Sequence, residues 1–142
     1  MQFSVNKAIK TGIIGGIIGG IIGGIIFGMI MQMMGKIAMI AGMMGSSSLL
    51  NGWIIHMMIS IIFGITFGLL TFVIKNRIVL TIIFGIGIWI VGPLVIMPIM
   101  MGMGTNLSSA FAPQQLMSLG THLFFSIIVA IAFKICFKKQ TS

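Results

Sequence analysis

The sequence predicts an all-α membrane protein with four transmembrane helices, and three observations support this. Hydrophobic residues make up 58% of the 142 residues and charged residues only 6%, whereas about a quarter of the residues in a soluble domain are charged. The eight Lys and Arg residues are accompanied by no Asp or Glu, which leaves too few polar groups to cover a water-facing surface. Four apolar stretches are each long enough to cross a bilayer as a helix. We expect residues 1–142 to form a single membrane domain.

The first span is predicted over about residues 12–34. Lys7 and Lys10 precede it, as the charged region of a secretory signal would. The apolar region of a signal covers about 7–15 residues and ends in a cleavage site, whereas this run continues for over 20 residues without one. We therefore expect it to remain in the protein as a membrane helix.

Glycines at four-residue spacing form a predicted packing surface on the first span. One ridge consists of Gly12, Gly16, Gly20, Gly24 and Gly28. A second ridge consists of Gly15, Gly19 and Gly23. Because burying apolar side chains away from apolar lipid gains little, membrane helices associate through close backbone approach and polar contacts. We expect this glycine zipper to admit neighbouring helices, while the isoleucines of the remaining face contact lipid.

The second span, about residues 52–74, and the fourth span, about residues 115–137, share a pattern of small and polar residues. In the second span, the residues at i, i+4 spacing are His56, Ser60, Gly64 and Gly68. In the fourth span they are His122, Ser126 and Ala130. Small residues at this spacing mark helix contacts and ionisable groups avoid lipid, so both faces are expected to point into the bundle.

The third span, about residues 78–101, contains two prolines and a central tryptophan. Pro93 and Pro98 lack the backbone N–H of a helix interior, so we expect them to kink the outer half of the span. Trp89 is predicted near the middle of the bilayer, where its indole N–H needs a partner.

Seven of the eight positive residues fall on one side of a four-span arrangement, and only Lys36 falls on the other. Lys and Arg are enriched on the cytoplasmic side, so both termini are predicted to be cytoplasmic. The connections at about 35–51 and 102–114 then lie outside. We expect the positive residues to contact anionic lipid headgroups. Because they are scattered over three short segments, we expect no binding of nucleic acid.

The chain contains a predicted internal repeat, with one unit at about residues 12–74 and the other at about 78–137. The element Ile-Ile-Phe-Gly at 25–28 recurs at 82–85, an offset of 57. The element His-x-x-x-Ser-Ile-Ile that begins at His56 recurs at His122, an offset of 66. Each unit has two spans, so both units enter the membrane in the same direction and form a parallel 2+2 repeat.

The lack of Asp and Glu excludes several kinds of chemistry. The chain cannot build a Ca²⁺ or Mg²⁺ cage, a paired-carboxylate hydrolase, a triad completed by a carboxylate, or a carboxylate proton relay. Its single cysteine, Cys136, cannot form an intrachain disulfide. We expect neither catalytic residues nor a cofactor.

His56 and His122 are the candidate functional residues, since each is predicted to lie just inside the outer end of its span. Imidazole titrates near neutral pH and binds borderline metals. Met57 and Met58 lie beside His56, and further methionines cluster towards the outer side: Met33, Met34, Met39, Met43, Met44, Met97, Met100, Met101 and Met103. Thioethers with imidazole suit Cu(I), so these residues form a candidate proton or soft-metal site. Alternatively, the rings are packing contacts and the methionines fill irregular space.

Several short motifs occur in a characteristic order after the glycine-rich first span. They are Trp53-Ile-Ile-His56-x-x-x-Ser60, Gly92-Pro93-Leu94 and Met117-Ser118-Leu119-Gly120-x-His122. Over about residues 10–133 the chain resembles a group of small uncharacterised bacterial integral membrane proteins and, more loosely, the YagU-like inner-membrane family. The resemblance implies a location in the bacterial plasma membrane and supplies no activity.

The functional expectation is a non-enzymatic membrane protein that supports envelope homeostasis or assembles with itself or another membrane protein. Abundant packing residues beside almost no reactive ones favour this hypothesis. The alternative is a small transporter or channel in which the histidine pair handles protons or a soft metal ion. A holin-like pore is disfavoured, because glycine ridges favour tight packing over a wide opening.

Overall fold

A computed structural model describes the backbone of residues 2–140 and the side chains of residues 4–137, and its regular structure is entirely helical. The elements are α1 (Gln2–Met33), α2 (Lys36–Met43), α3 (Leu49–Leu70), α4 (Arg77–Trp89), a π-helix (Ile90–Ile96), α5 (Met97–Met100), a 3₁₀ helix (Leu107–Ser109) and α6 (Pro113–Gln140). Four stretches are long and apolar enough to span a membrane: Ser4–Met33, Leu49–Leu70, Arg77–Met100 and Pro113–Phe137. The prediction of an all-α chain with four membrane-spanning helices is therefore confirmed at this level.

Two helix boundaries differ from the prediction. Helix α1 begins at Gln2 rather than near residue 12, because the helix continues through the polar segment that carries Lys7 and Lys10. Helix α3 ends at Leu70 rather than near residue 74, and turns follow it over residues 71–73. Apolar residues mark the part of a helix that suits lipid, whereas the hydrogen bonds that define the helix can begin and end at other residues.

Helix α1 is the element against which the others pack. It lies along both α3 and α6, α4 lies along α6, and α2 covers part of α3, whereas α3 and α4 make little contact. The core between the spans consists of Phe27, Phe67, Leu80, Phe84, Ile88, Phe125, Val129 and Phe133.

Glycines bring the backbones of α1 and α3 together. A Cβ added to Gly16 would collide with the carbonyl oxygen of Gly64, and one added to Gly64 would collide with that of Gly16. Farther along the pair, a Cβ on Gly68 would collide with the carbonyl oxygen of Gly12. No side chain fits between these backbones, so glycine is what permits the close approach.

The remaining glycines of α1 divide between two neighbours. Gly20, Gly24 and Gly28 face α3, where added Cβ atoms would meet the backbone or side chains of Trp53, His56, Met57, Ser60 and Ile61. Gly15, Gly19 and Gly23 face α6, where they would meet Phe133, Val129 and Phe125. The isoleucines between the ridges lie on the exposed side: Ile14, Ile18, Ile21, Ile22 and Ile25.

Pro93 changes the backbone of the third span. A proline in an α-helix lacks its N–H, and its ring clashes with the carbonyl four residues earlier, which here belongs to Trp89. The chain is π-helical over Ile90–Ile96, and the N–H of Met97 donates to the carbonyl of Gly92, five residues earlier. The structure therefore shows a π-helical stretch around Pro93, and the kink predicted at Pro93 and Pro98 stays a prediction.

Pro98 leaves the carbonyl of Leu94 without its usual helical donor, and the connection after α5 supplies another donor. In a continuous α-helix the carbonyl of Leu94 would accept from residue 98, but Pro98 has no N–H. Instead, the N–H of Asn106 donates to Leu94 O at 2.7 Å, and the N–H of Met103 donates to Pro98 O at 2.9 Å. The connection after α5 thus folds back along the third span.

Trp89 finds its partner at the start of α6 rather than in mid-helix. Its Nε1 donates to the carbonyl of Gln115 at 3.0 Å, and the side chain is buried. The first turn of α6 therefore satisfies the indole N–H that the sequence predicted to need a partner.

The two ends of the bundle differ in composition. The start of α1, the connection from α3 to α4 and the end of α6 lie at one end, as contacts of Gly12 with Phe72 and of Arg77 with Phe133 show. These three segments contain seven of the eight Lys and Arg residues, so we refer to this as the lysine-rich end. The opposite end, with α2 and the connection after α5, is the methionine-rich end.

Candidate functional site

His56 is buried between α1 and α3, and its hydrogen bond to α1 sets its tautomer. Its Nε2 lies 2.9 Å from the carbonyl oxygen of Gly24 and 3.5 Å from Oγ of Ser60. A carbonyl oxygen only accepts, so Nε2 carries the hydrogen when the ring is neutral. Nδ1 is then the nitrogen with a free electron pair. The small face of α3 brings His56 to this carbonyl because Gly24 and Gly28 allow close approach.

His122 is held by its own helix. Its Nδ1 lies 2.7 Å from the carbonyl oxygen of Ser118, one turn earlier in α6. By the same reasoning Nδ1 is the donor, and Nε2 of the neutral ring keeps the free electron pair. Neither His56 nor His122 therefore donates its ring hydrogen to the other.

Phe27 of α1 links the two imidazoles. Its ring centroid lies 5.8 Å from that of His56 and 5.3 Å from that of His122. The indole of Trp53 packs against the other side of the site, with its centroid 5.8 Å from His56, and its Nε1 donates to Oε1 of Gln32. Phe27 is a site residue that the sequence did not predict, although the recurring Ile-Ile-Phe-Gly element contains it.

Both histidines line one cavity of about 350 Å³ between α3 and the third span. Its hydrogen-bonding side chains are His56, His122 and Ser60, and no charged residue of the described chain lines it. Five methionines contribute to the wall: Met31, Met43, Met44, Met97 and Met100. The π-helical stretch supplies Gly92, Pro93 and Ile96.

Met57 and Met58, which the sequence grouped with the histidines, are absent from the cavity wall. Met58 is 58% exposed on the outer face of α3. The sulfur of Met57 lies against α1 beside Gly24. Successive residues of a helix point in directions about 100° apart, so neighbours of His56 in sequence leave its face. The methionines that do share the cavity come from α1, α2 and the third span.

The other predicted packing residues occupy buried or half-buried positions. Ser126 is fully buried, and its Oγ donates to the carbonyl oxygen of Thr81 at 2.6 Å across the α4–α6 contact. Ala130 is half-buried near the lysine-rich end. Within residues 2–140, no group of three or more His or Cys side chains is arranged to hold a metal ion.

Aromatic rings fill the bundle between the cavity and the lysine-rich end. Phe67 contacts Phe84 and Phe133 edge to face, with ring centroids 5.3 and 6.0 Å apart. Phe125 and Leu80 complete this layer, and each is no more than 2% exposed. The cavity is therefore closed towards the lysine-rich end by packed apolar side chains.

A second groove of about 620 Å³ lies between α4 and α6 at the lysine-rich end. Arg77 and Lys134 are the cations on its wall, and the remaining wall is mostly apolar. Nη1 of Arg77 donates to the carbonyl oxygen of Thr71 at 3.2 Å. Since the chain has no Asp or Glu, neither cation has a carboxylate side chain to pair with.

Comparisons with protein-family models, with curated proteins and with solved structures find no match to this chain. The geometry of the histidine cavity and of the groove therefore supplies the observations on which function is argued.

Proposed function

We propose that the chain is a non-enzymatic integral membrane protein of the bacterial plasma membrane with a structural or assembly role in the cell envelope. The observation that carries the proposal is the glycine contact of α1 with α3, in which Gly16 and Gly64 leave no room for a side chain. Such contacts build a rigid frame within lipid. The four stretches that are long and apolar enough to span a bilayer support a multi-pass membrane location.

In this proposal the bundle is a parallel 2+2 repeat with both termini in the cytoplasm. The excess of positive residues at the lysine-rich end supports the orientation. Two equivalent contacts support the repeat: Gly24 with Ser60 in the first unit, and Thr81 with Ser126 in the second. These pairs are related by the offsets 57 and 66. The units are not packed symmetrically, because α1 lies along α6 whereas α3 and α4 barely touch.

Anionic lipids of the cytoplasmic leaflet are the proposed partners of the lysine-rich end. The groove beside Arg77 and Lys134 combines cationic side chains with an apolar wall, which suits a lipid headgroup and its chain. A second copy or another membrane protein is the further partner that an assembly role requires.

The proposal is tested on purified protein in two preparations. In lipid nanodiscs, we expect a defined oligomer or a specific complex with a co-purifying membrane protein, measured by mass. In liposomes, we expect no selective flux of protons or monovalent copper. Reproducible, selective flux that depends on the protein would overturn the structural role.

A transporter or channel for protons or a soft metal ion is the second candidate. The observation in its favour is that His56 and His122 line one cavity together with five thioethers. Transport would require the aromatic layer around Phe67 to open, since it separates the cavity from the lysine-rich end. The same flux assay, repeated with both histidines replaced, distinguishes this candidate.

A further inference from the structure

Two acceptor nitrogens in the histidine cavity have no hydrogen-bond partner among the described residues. They are Nδ1 of His56 and Nε2 of His122, since the other nitrogen of each ring is bonded to a backbone carbonyl. His56 is only 4% exposed. The protein does not fully enclose these two nitrogens, because among the described residues the buried side-chain atom without a partner is Oε1 of Gln115. An acceptor that meets an apolar cavity without a partner still lacks the hydrogen bond that water would provide. A ligand with an O–H donor would restore it, whereas a ligand that can only accept would not.

The cavity borders the surface that faces lipid. Ile59 and Ile62 of α3 and Ile96 and Met100 of the third span line it, and each is at least 40% exposed. Because α3 and α4 make little contact, the cavity lies where the two spans separate. A ligand can therefore reach it from the hydrocarbon of the bilayer without crossing the packed core.

The wall selects for a neutral ligand of modest size. No charged residue lines the cavity, so an ionised headgroup would lose its hydration without gaining an opposite charge. The volume of about 350 Å³ lies at the small end of the range of ligand pockets. At about 30 Å³ for each group the size of a water molecule, it holds roughly twelve such groups, and the end of a longer chain would extend into the bilayer.

We propose that this cavity binds a neutral, lipid-like alcohol from the bilayer. The hydroxyl donates to a free nitrogen of the histidine pair, and the hydrocarbon chain lies among the isoleucine and methionine side chains. This inference goes beyond the proposed assembly role and does not depend on it. A Cu(I) ion would use the same nitrogens, so the experiment includes it as a competing outcome.

The test reads the imidazole nitrogens directly. The chain has only two histidines, so ¹⁵N-histidine labelling reports on His56 and His122 alone. The labelled protein is placed in phosphatidylcholine nanodiscs, because this lipid has no O–H or N–H donor. The probe is 1-dodecanol, and its methyl ether is the control, with the same chain but no donor. We expect the alcohol, and not the ether, to shift the signal of an unprotonated ring nitrogen saturably.

A pair of glycine variants tests whether the response comes from the cavity. Gly92 lines the cavity, and a Cβ added there meets nothing within 4 Å, so Gly92→Leu should occupy the site without a clash against the backbone. Gly87 belongs to the same span, lies outside the cavity wall and also has open space around an added Cβ. We expect Gly92→Leu to weaken the response to dodecanol at least tenfold and Gly87→Leu to leave it unchanged.

Three results would overturn the proposal in protein whose helical circular dichroism is intact. The first is an unchanged histidine spectrum at saturating dodecanol. The second is an equal response to the ether, which would mean that the chain fills space without a hydrogen bond. The third is a response to Cu(I) or Ag(I) with none to the alcohol, which would assign the nitrogens to a metal. None of these results bears on the oligomer and flux measurements.

Discussion

At the scale of single residues, the two histidines have different structural roles although each begins the same His-x-x-x-Ser-Ile-Ile element. His56 joins two helices through its bond to Gly24 O, whereas the bond of His122 to Ser118 O stays within one helix. The contribution of the ring to stability should therefore be larger for His56. A single hydrogen bond contributes about 0.5–1.5 kcal/mol to the free energy of unfolding.

Asparagine substitutions test this difference. We expect His56→Asn to lower the free energy of unfolding by about 1 kcal/mol, because a shorter amide reaches Gly24 O less well. His122→Asn should lower it by less, since no contact between helices depends on its ring hydrogen. Reversible unfolding in mixed detergent micelles measures both. An equal loss of stability in the two variants would contradict the assignment of the bond between helices to His56.

The glycine ridge makes a second prediction at this scale. A Cβ on Gly20 would lie 2.5 Å from the carbonyl oxygen of Ser60 and 2.9 Å from Cα of Ile61. Ile21, by contrast, is 37% exposed on the opposite face. Gly20→Leu should lower the free energy of unfolding by about 1–3 kcal/mol or more, because overpacking usually has an effect of this size. Ile21→Leu should change stability by less than about 0.5 kcal/mol. Equal expression and thermal stability of the two variants would contradict the packing described for α1 and α3.

At the scale of elements, the third span is the one whose hydrogen bonding departs from a regular helix. Pro93 is accompanied by a π-helical stretch, and Pro98 frees the carbonyl of Leu94 for Asn106. The two prolines thus connect the membrane helix to the loop that follows it. The π-helical stretch contributes Gly92, Pro93 and Ile96 to the wall of the histidine cavity.

Replacing Pro98 should release the returning connection. In Pro98→Ala the new N–H can donate to Leu94 O, where it competes with the N–H of Asn106. We expect the amide of Asn106 to exchange its hydrogen at least tenfold faster, measured by hydrogen–deuterium exchange in nanodiscs. Exchange in α3 should stay unchanged and serves as the internal control. An unaltered rate at Asn106 would mean that this bond does not hold the connection in place.

At the scale of the whole molecule, positive charge is concentrated at one end, and this is the observation behind the proposed orientation in a membrane. Seven positive residues lie in segments at the lysine-rich end, while Lys36 is the one at the other. Positive segments are retained in the cytoplasm during insertion. In the proposed orientation, the histidine cavity lies nearer the outer side.

Cysteine labelling tests the proposed orientation. Ser48→Cys and Ser108→Cys, made separately with Cys136→Ser as background, place a thiol in each connection at the methionine-rich end. In intact cells, we expect both to react with a membrane-impermeant maleimide, because both connections face outward. Native Cys136 should react only after the membrane is permeabilised. Labelling of residues 48 and 108 from the cytoplasmic side alone would reverse the topology.

The groove at the lysine-rich end predicts a preference for anionic lipid. The protein should retain more phosphatidylglycerol than phosphatidylcholine in native mass spectra, and Arg77→Gln with Lys134→Gln should reduce that preference. Lys10→Gln with Lys36→Gln removes the same two positive charges without touching the groove and is the matched control. Equal effects of the two double variants would show that overall charge, not the groove, attracts the lipid.

The sequence by itself determined the four-helix membrane architecture. Long apolar stretches with very few charges permit few other solutions in lipid, because a spanning backbone must satisfy its hydrogen bonds internally. The four-residue spacing of Gly12, Gly16 and Gly20 similarly indicated which face of the first span would meet another helix. Both signals are local, since they depend only on residues within one helix.

Only the tertiary structure decided which helices the two glycine ridges meet and which residues surround His56 and His122. The spacing of the ridges does not encode that one packs against α3 and the other against α6. Phe27 and Met31 enter the histidine cavity from α1, and Met97 enters from the third span, while Met57 beside His56 stays outside it. The physical reason is that a helix turns about 100° per residue, so adjacency along the chain separates side chains that contacts between distant helices bring together.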